Sequence, residues 1–174
     1  MKSYDTEWST YFIDRYVKPE GFFISLQNCW NDTVIASIVG AERSLGCIAS
    51  HIEVALWEPG HVTRGGQVGR DHGHVVFRVG EHHSEITPRT EMIANKLNWI
   101  DAAYATDNLW GERWAKLCQN SMGNAISAMS TLGSQDMADD PRCRLIRIHL
   151  AKEAAMVGLG QGLNVVEING TPAQ

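Results

Sequence analysis

The chain has 174 residues, of which 44% are hydrophobic and 20% charged, with a formal net charge of -5. This is the balance of a globular protein of one ordinary domain or two small ones. Both charge signs are mixed along the sequence, which excludes a basic footprint for nucleic acid and a polybasic membrane patch; no apolar run reaches the roughly 18 residues of a membrane span.

The opening MKSYDTEWST has no apolar signal core. Asp5 and Thr6 can cap a helix to about Tyr16, with Trp8, Phe12 and Ile13 expected to face a core. KPEG stops it, and FFISL, Phe22 to Leu26, reads as a short strand buried on both faces. QNCWND follows as a loop, TVIASIV as a helix ending at Gly40, and RSLGCIAS as the next strand. Helix, strand, helix, strand is the rhythm of a parallel α/β sheet. EVALWEPGHVTRGG reads as two strands about a Pro59–Gly60 turn, and HVVFRVG as another strand. ITPRTEMIANKLNW is a helix with Thr87 at the cap and Pro88 in its first turn, and DAAYAT a last strand. Beyond Asp107 the pattern is wholly helical, with a second helix from Asp140–Pro141 to the glycines at 158, 160 and 162. The fold class expected is α/β plus all-α, with an α/β part over 1–106 and a helical part over 107–174.

The segment LWGERWAKLCQNSMGN places Lys116, Asn120 and Asn124 at i, i+4 and i+8. At 100° per residue, Trp110, Trp114, Leu117, Ser121, Ala125, Ala128 and Leu132 share the stripe expected to face the core, with the polar three beside it. The small residues Ser121, Gly123 and Ala125 would let another backbone approach. Asparagine and glycine are poor helix formers, by roughly 0.5–1 kcal/mol against alanine. The stripe is therefore either a polar flank that cross-links neighbouring backbone or the lining of a cleft. In a cleft, a lysine desolvated beside tryptophan favours a lowered pKa and can donate a proton. Carboxamides there can hold a carbonyl next to a carboxylate.

At these residues the chain resembles the ketopantoate reductase (2-dehydropantoate 2-reductase) family. Its W-x-K-L-x-x-N-x-x-x-N signature is matched by Trp114, Lys116, Leu117, Asn120 and Asn124. LQNCW resembles its L-Q-N-G loop through Asn28, with Cys29 in the glycine position, and MKSYDTEWS resembles its VKAYDTEWA element through Lys2. The resemblance implies the second half of a Rossmann-type NADP-binding domain followed by a helical domain like that of 6-phosphogluconate dehydrogenases. It implies an NADPH-dependent reduction of a 2-oxo acid such as ketopantoate, in pantothenate biosynthesis. Lys116 would be the general acid, Asn120 and Asn124 would bind substrate, and Asn28 and Lys2 would lie on the cofactor side. A cytoplasmic location is expected, with a small-molecule 2-oxo acid as partner and with homodimerisation left open.

Other features set limits on that reading. A Rossmann domain needs a strand, a G-x-G-x-x-G turn and a helix to cradle a pyrophosphate. GLGQGL, Gly158 to Leu163, follows a helix and reads as a helix C-terminus instead. By comparison with the family, the chain is expected to be an internal piece of a longer reductase, inactive and poorly soluble alone. The alternatives are a non-catalytic fragment or interaction module, or a related dehydrogenase acting on another 2-oxo acid. The cysteines at 29, 47, 118 and 143 fit no CxxC pair or zinc template and are expected to be reduced thiols. His72, His74, His82 and His83 cluster with Glu81 and Glu85, and His72 and His74 would share a strand face. No spacing among them is diagnostic, so no metal is expected.

Overall fold

The computed structural model describes residues 2–168, 172 and 173. The chain divides into two compact units, Met1–Leu109 and Trp110–Gln174.

The first unit opens with a single 3-10 turn, Ser3–Asp5, and helix α1, Thr6–Asp14. Strand β1 (Phe23–Ser25), helix α2 (Asp32–Val39) and strand β2 (Ser44–Ala49) form a parallel crossover in which Phe23 pairs with Ser44. A separate antiparallel hairpin, β3 (Glu53–Glu58) and β4 (His61–Gly65), turns at Pro59–Gly60, where Gly60 takes φ +78°. A one-turn helix α3 (Gly69–His72) leads to β5 (Phe77–Gly80), helix α4 (Pro88–Leu97) and β6 (Ala103–Thr106). Thr87 caps α4 in a reciprocal capping box with Thr90, and Pro88 occupies the first turn.

The main sheet has the order β1-β2-β5-β6 and is mixed, not parallel throughout as its rhythm suggests. Parallel neighbours need a crossover that carries the chain back to the starting end of the strand. The β3–β4 hairpin and α3 instead leave the chain at the end of β2, where Ser50 N–H bonds Val76 O at 2.9 Å, so β5 runs antiparallel to β2. One sheet face packs Cys47, Val76, Phe77 and Val79 against Ala94 of α4. On the other face, Gly46 and Gly80 are register partners, and both lie against Leu109. β2 is accordingly buried along nearly its whole length, as a doubly covered strand should be. β1 is not: of Phe23, Ile24 and Ser25 only Ser25 is buried, because β1 is an edge strand.

The expected core face of α1 is reversed. Thr6, Ser9 and Thr10 are buried, whereas Trp8 is 67% and Phe12 46% exposed, and Ile13 is exposed too. The inward hydroxyls have partners: Thr6 Oγ1 donates to Gln27 Oε1 at 3.0 Å and Thr10 Oγ1 to Thr6 O at 2.7 Å. Their apolar neighbours cover one another outside, with Trp8 stacked on Phe12 at 5.4 Å and Phe12 edge-on to Tyr16 at 5.7 Å.

The fully buried Asp101 ties the hairpin to the sheet. Its carboxylate accepts from Arg64 of β4, from the N–H groups of Gly69 and Arg70 at 3.1 Å each, and from Ala102 N–H at 2.7 Å. Burial pushes this carboxyl up, but the four donors outweigh it and hold it well below the usual carboxylate range.

The second unit holds helices α5 (Leu109–Ser130, whose first residue belongs to the first unit), α6 (Ser134–Asp139) and α7 (Pro141–Gly160). The short α6 carries no periodic signal of its own. Asp140 caps α7 by accepting from the N–H groups of Arg142 and Cys143, with Pro141 in the first turn. Its C-terminus is a Schellman motif: Leu163 N–H bonds Gly158 O, Gly162 N–H bonds Leu159 O, and Gly162 takes φ +78°. GLGQGL is thus a helix stop. The core comprises Ala115, Cys118, Ala155, Val165 and Ile168.

The buried face of α5 also differs from the stripe expected. Ala115, Cys118 and Ile126 are buried, while Trp110, Trp114, Leu117, Ser121 and Leu132 are half-buried and Ala125 and Ala128 exposed. The tryptophans mislead because Trp114 lies over the edge of the core and sends its Nε1–H to Ala154 O at 2.8 Å. It reaches that carbonyl by packing over Gly158, where a Cβ would lie 2.3 Å from the indole nitrogen. Among the described residues outside its own helix, none lies within 4 Å of the Cβ position of Gly123, so no neighbouring backbone among them approaches there.

Candidate functional site

Two sequence motifs far apart in the chain meet in the first unit. Lys2 is extended, and its carbonyl accepts from Asp5 N–H at 2.9 Å to start the 3-10 turn. Gln27 and Asn28 follow β1. Thr6 joins the first motif to the second through Gln27, and Asn31 joins them again: its Nδ2 donates to Ser3 Oγ and to Asn28 O, both at 2.8 Å. Between them, Cys29 takes φ +71°, the left-handed conformation that favours glycine. Cysteine at this position thus holds a backbone conformation that glycine adopts without strain.

The result is a cleft of about 800 Å³ in the first unit, lined by Lys2, Ser3, Thr6, Gln27 and Asn28 with apolar walls such as Phe23 and Leu26. Lys2 and Asn28, predicted as a pair, line this one cleft, and both are exposed. Asn31 is the residue that sequence reasoning missed. It stands at the N-cap position of α2, yet makes no side-chain cap bond, its amide being turned to Ser3 and Asn28. The available signal was its spacing, three residues past Asn28, from which a side chain can close a turn.

Lys116, Asn120 and Asn124 all lie on α5 in the second unit. Lys116 and Asn120 are half-buried and Asn124 is exposed. The half-burial of Lys116 and Asn120 fits the expected place at the edge of buried material, and the buried Arg113 lies on the same side of α5.

The histidines separate. His72 ends α3 and His74 lies in the following loop, so they share no strand; His74 meets His51, with ring centroids 5.0 Å apart. His82 and His83 line a different cleft with Glu42, Glu81, Thr87 and Arg89. The buried Glu81 carboxylate takes a two-pronged bond from Arg89, at 2.7 and 2.6 Å, and one from Thr87 Oγ1 at 2.6 Å. Burial raises its pKa, but these donors prevail and lower it. Among the described residues, no three histidine, cysteine, aspartate or glutamate side chains converge as a metal site. All four cysteines are free thiols.

These features define a Rossmann-type α/β unit followed by a helical unit. The fold is that of the 2-dehydropantoate 2-reductases, or ketopantoate reductases, as the three motifs imply. The enzyme from Geobacter metallireducens GS-15 superposes with a TM-score of 0.81 at 24% identity, over 98% of this chain and 55% of that one. The 2-dehydropantoate 2-reductase from Methylococcus capsulatus gives 0.72 at 19% identity, over 89% and 48%. A D-mandelate dehydrogenase, solved with NADH and anilino(oxo)acetate, gives 0.77 at 17% identity, over 95% and 52%. The chain spans about half the length of each. No protein-family model and no curated protein sequence matches it.

Proposed function

We propose that this chain forms part of an NADPH-dependent reductase of a 2-oxo acid of the ketopantoate type. The observation that carries the proposal is the complete Trp114–Asn124 signature on α5 of a chain with the ketopantoate reductase fold. Of its polar residues, Lys116 and Asn120 are half-buried and Asn124 is exposed.

The residues of the first unit suit the nicotinamide end of a dinucleotide. Lys2, Asn28 and Gln27 offer charge and amide groups on one cleft wall, with Thr6 and Ser3 hydroxyls beside them. No glycine-rich strand-to-helix cradle for the pyrophosphate occurs among the described residues. When bound, a reduced nicotinamide supplies the hydride that reduces the 2-keto carbon. In this reading Lys116 stabilises the negative charge that grows on the carbonyl oxygen and then protonates it. Asn120 and Asn124 hold the oxo-acid end of the substrate, and Lys2 and Asn28 orient the cofactor side.

In the longer reductase of which this chain would form part, Lys116→Ala should lower turnover by about 10²- to 10⁴-fold, the scale of a lost general acid, with nucleotide affinity little changed. The assay is oxidation of the reduced nicotinamide with ketopantoate as acceptor. A folded variant that loses less than a few-fold would refute the role of Lys116. The likeness to D-mandelate dehydrogenase favours one other substrate class, an aryl 2-oxo acid. Running both acids side by side separates the two.

A further inference from the structure

We infer that Asn31 is a positioning residue that sets the nicotinamide-side pair, an inference that rests on the function proposed above. Asn31 is buried, and one nitrogen, Nδ2, reaches both Ser3 Oγ and Asn28 O at 2.8 Å. Ser3 follows Lys2 directly, and Asn28 carries the paired amide. The side chain therefore spans the two segments whose spacing fixes how Lys2 and Asn28 face the cleft.

The bond to Asn28 O also closes the turn that contains Cys29 at φ +71°. A non-glycine residue there is strained, and such a conformation persists only where surrounding contacts hold it. Asn31 is such a contact. It would ordinarily cap α2 from this position, but its side chain is committed to the turn.

The test is Asn31→Asp, beside Ser3→Ala. Aspartate keeps the shape and suits a helix N-cap, yet has no amide to donate and sets a carboxylate against the Asn28 carbonyl. Backbone hydrogen exchange over residues 27–31 should rise about tenfold without any nucleotide, as expected when a closing bond is lost. The dissociation constant for the reduced nicotinamide nucleotide should rise by about 5- to 30-fold, the scale of two lost hydrogen bonds, with the KM for the oxo acid within about threefold of the parent. Ser3→Ala removes one tether and should cost about fivefold or less. Unchanged exchange and affinity in Asn31→Asp would overturn the inference. So would a parallel loss of nucleotide affinity, oxo-acid KM and melting temperature, which marks a merely structural residue. All binding and kinetic measurements use the longer reductase that contains this chain; if that parent binds no nicotinamide nucleotide, the proposed function fails and this inference with it. If the parent binds and Asn31→Asp binds equally well, the inference alone fails.

Discussion

Gly158→Ala should destabilise the helical unit, although alanine is the better helix former. Gly158 lies inside α7, where alanine would gain about 1 kcal/mol of helix propensity. The new methyl would lie 2.3 Å from Trp114 Nε1 and 2.4 Å from its Cδ1, more than 1 Å inside ordinary contact. The indole must move, and overpacking of this kind costs about 1–3 kcal/mol. Moving it also breaks the 2.8 Å bond from Nε1 to Ala154 O, worth about 1 kcal/mol. The net expectation is a loss of about 1–3 kcal/mol. Urea unfolding followed by tryptophan fluorescence measures it. Gly123→Ala is the internal control: it lies in α5 with no described residue outside its own helix within 4 Å of its Cβ position and should gain up to about 1 kcal/mol. Adding Trp114→Phe should recover part of the loss, because the smaller ring has no donor to misplace. If Gly158→Ala were as stable as Gly123→Ala, the packing of Trp114 over Gly158 would be wrong.

Three further outcomes are expected. Asn120→Ala or Asn124→Ala should mainly raise the oxo-acid KM with a smaller loss of turnover, checked by steady-state titration; unchanged kinetics in both would leave these residues as a polar flank. Asp101→Asn should cost about 2–3 kcal/mol in urea unfolding, since it leaves Arg64 without its carboxylate and turns an amide toward backbone donors. Because the folded pKa of Asp101 is depressed, its contribution is complete above about pH 4 and is lost as pH falls further, so the wild-type and Asn curves should converge in acid. Cys29→Gly should stabilise the chain by about 0.5–1 kcal/mol: relief of left-handed strain exceeds the added flexibility of the unfolded chain, and thermal unfolding decides the sign.

The elements of the first unit were legible because their boundaries are chemical. Thr87 and Pro88 start α4 and Gly60 turns the hairpin; in the second unit, Gly162 likewise ends α7. What sequence could not carry was direction and facing. The antiparallel β2–β5 pair follows from the tertiary path of a hairpin excursion, which local periodicity does not encode. The faces of α1 and α5 were misjudged because apolarity was taken as inwardness. Buried threonines with good partners outcompeted Trp8 and Phe12, and small Ala115 and Cys118 outcompeted Trp114 as core. Lys2 and Asn28 were found through motifs; the Asn31 link between them depends on a turn visible only in three dimensions.

The glycine pair on the sheet has a consequence for how this sequence can change over time. Gly46 and Gly80 face each other across β2 and β5, and the Leu109 side chain fills the space their two Cβ atoms would occupy, at 2.5 Å from one and 2.9 Å from the other. The three positions therefore share one volume. A methyl added at either strand is blocked while leucine remains, and a smaller residue at 109 alone leaves a void. A change at 109 does not free position 80, where the blocking atom is the Leu109 Cβ that every residue but glycine carries, with Thr106 beside it, and Asp32 crowds position 46 as well. Sequences descended from this one should accordingly keep both glycines.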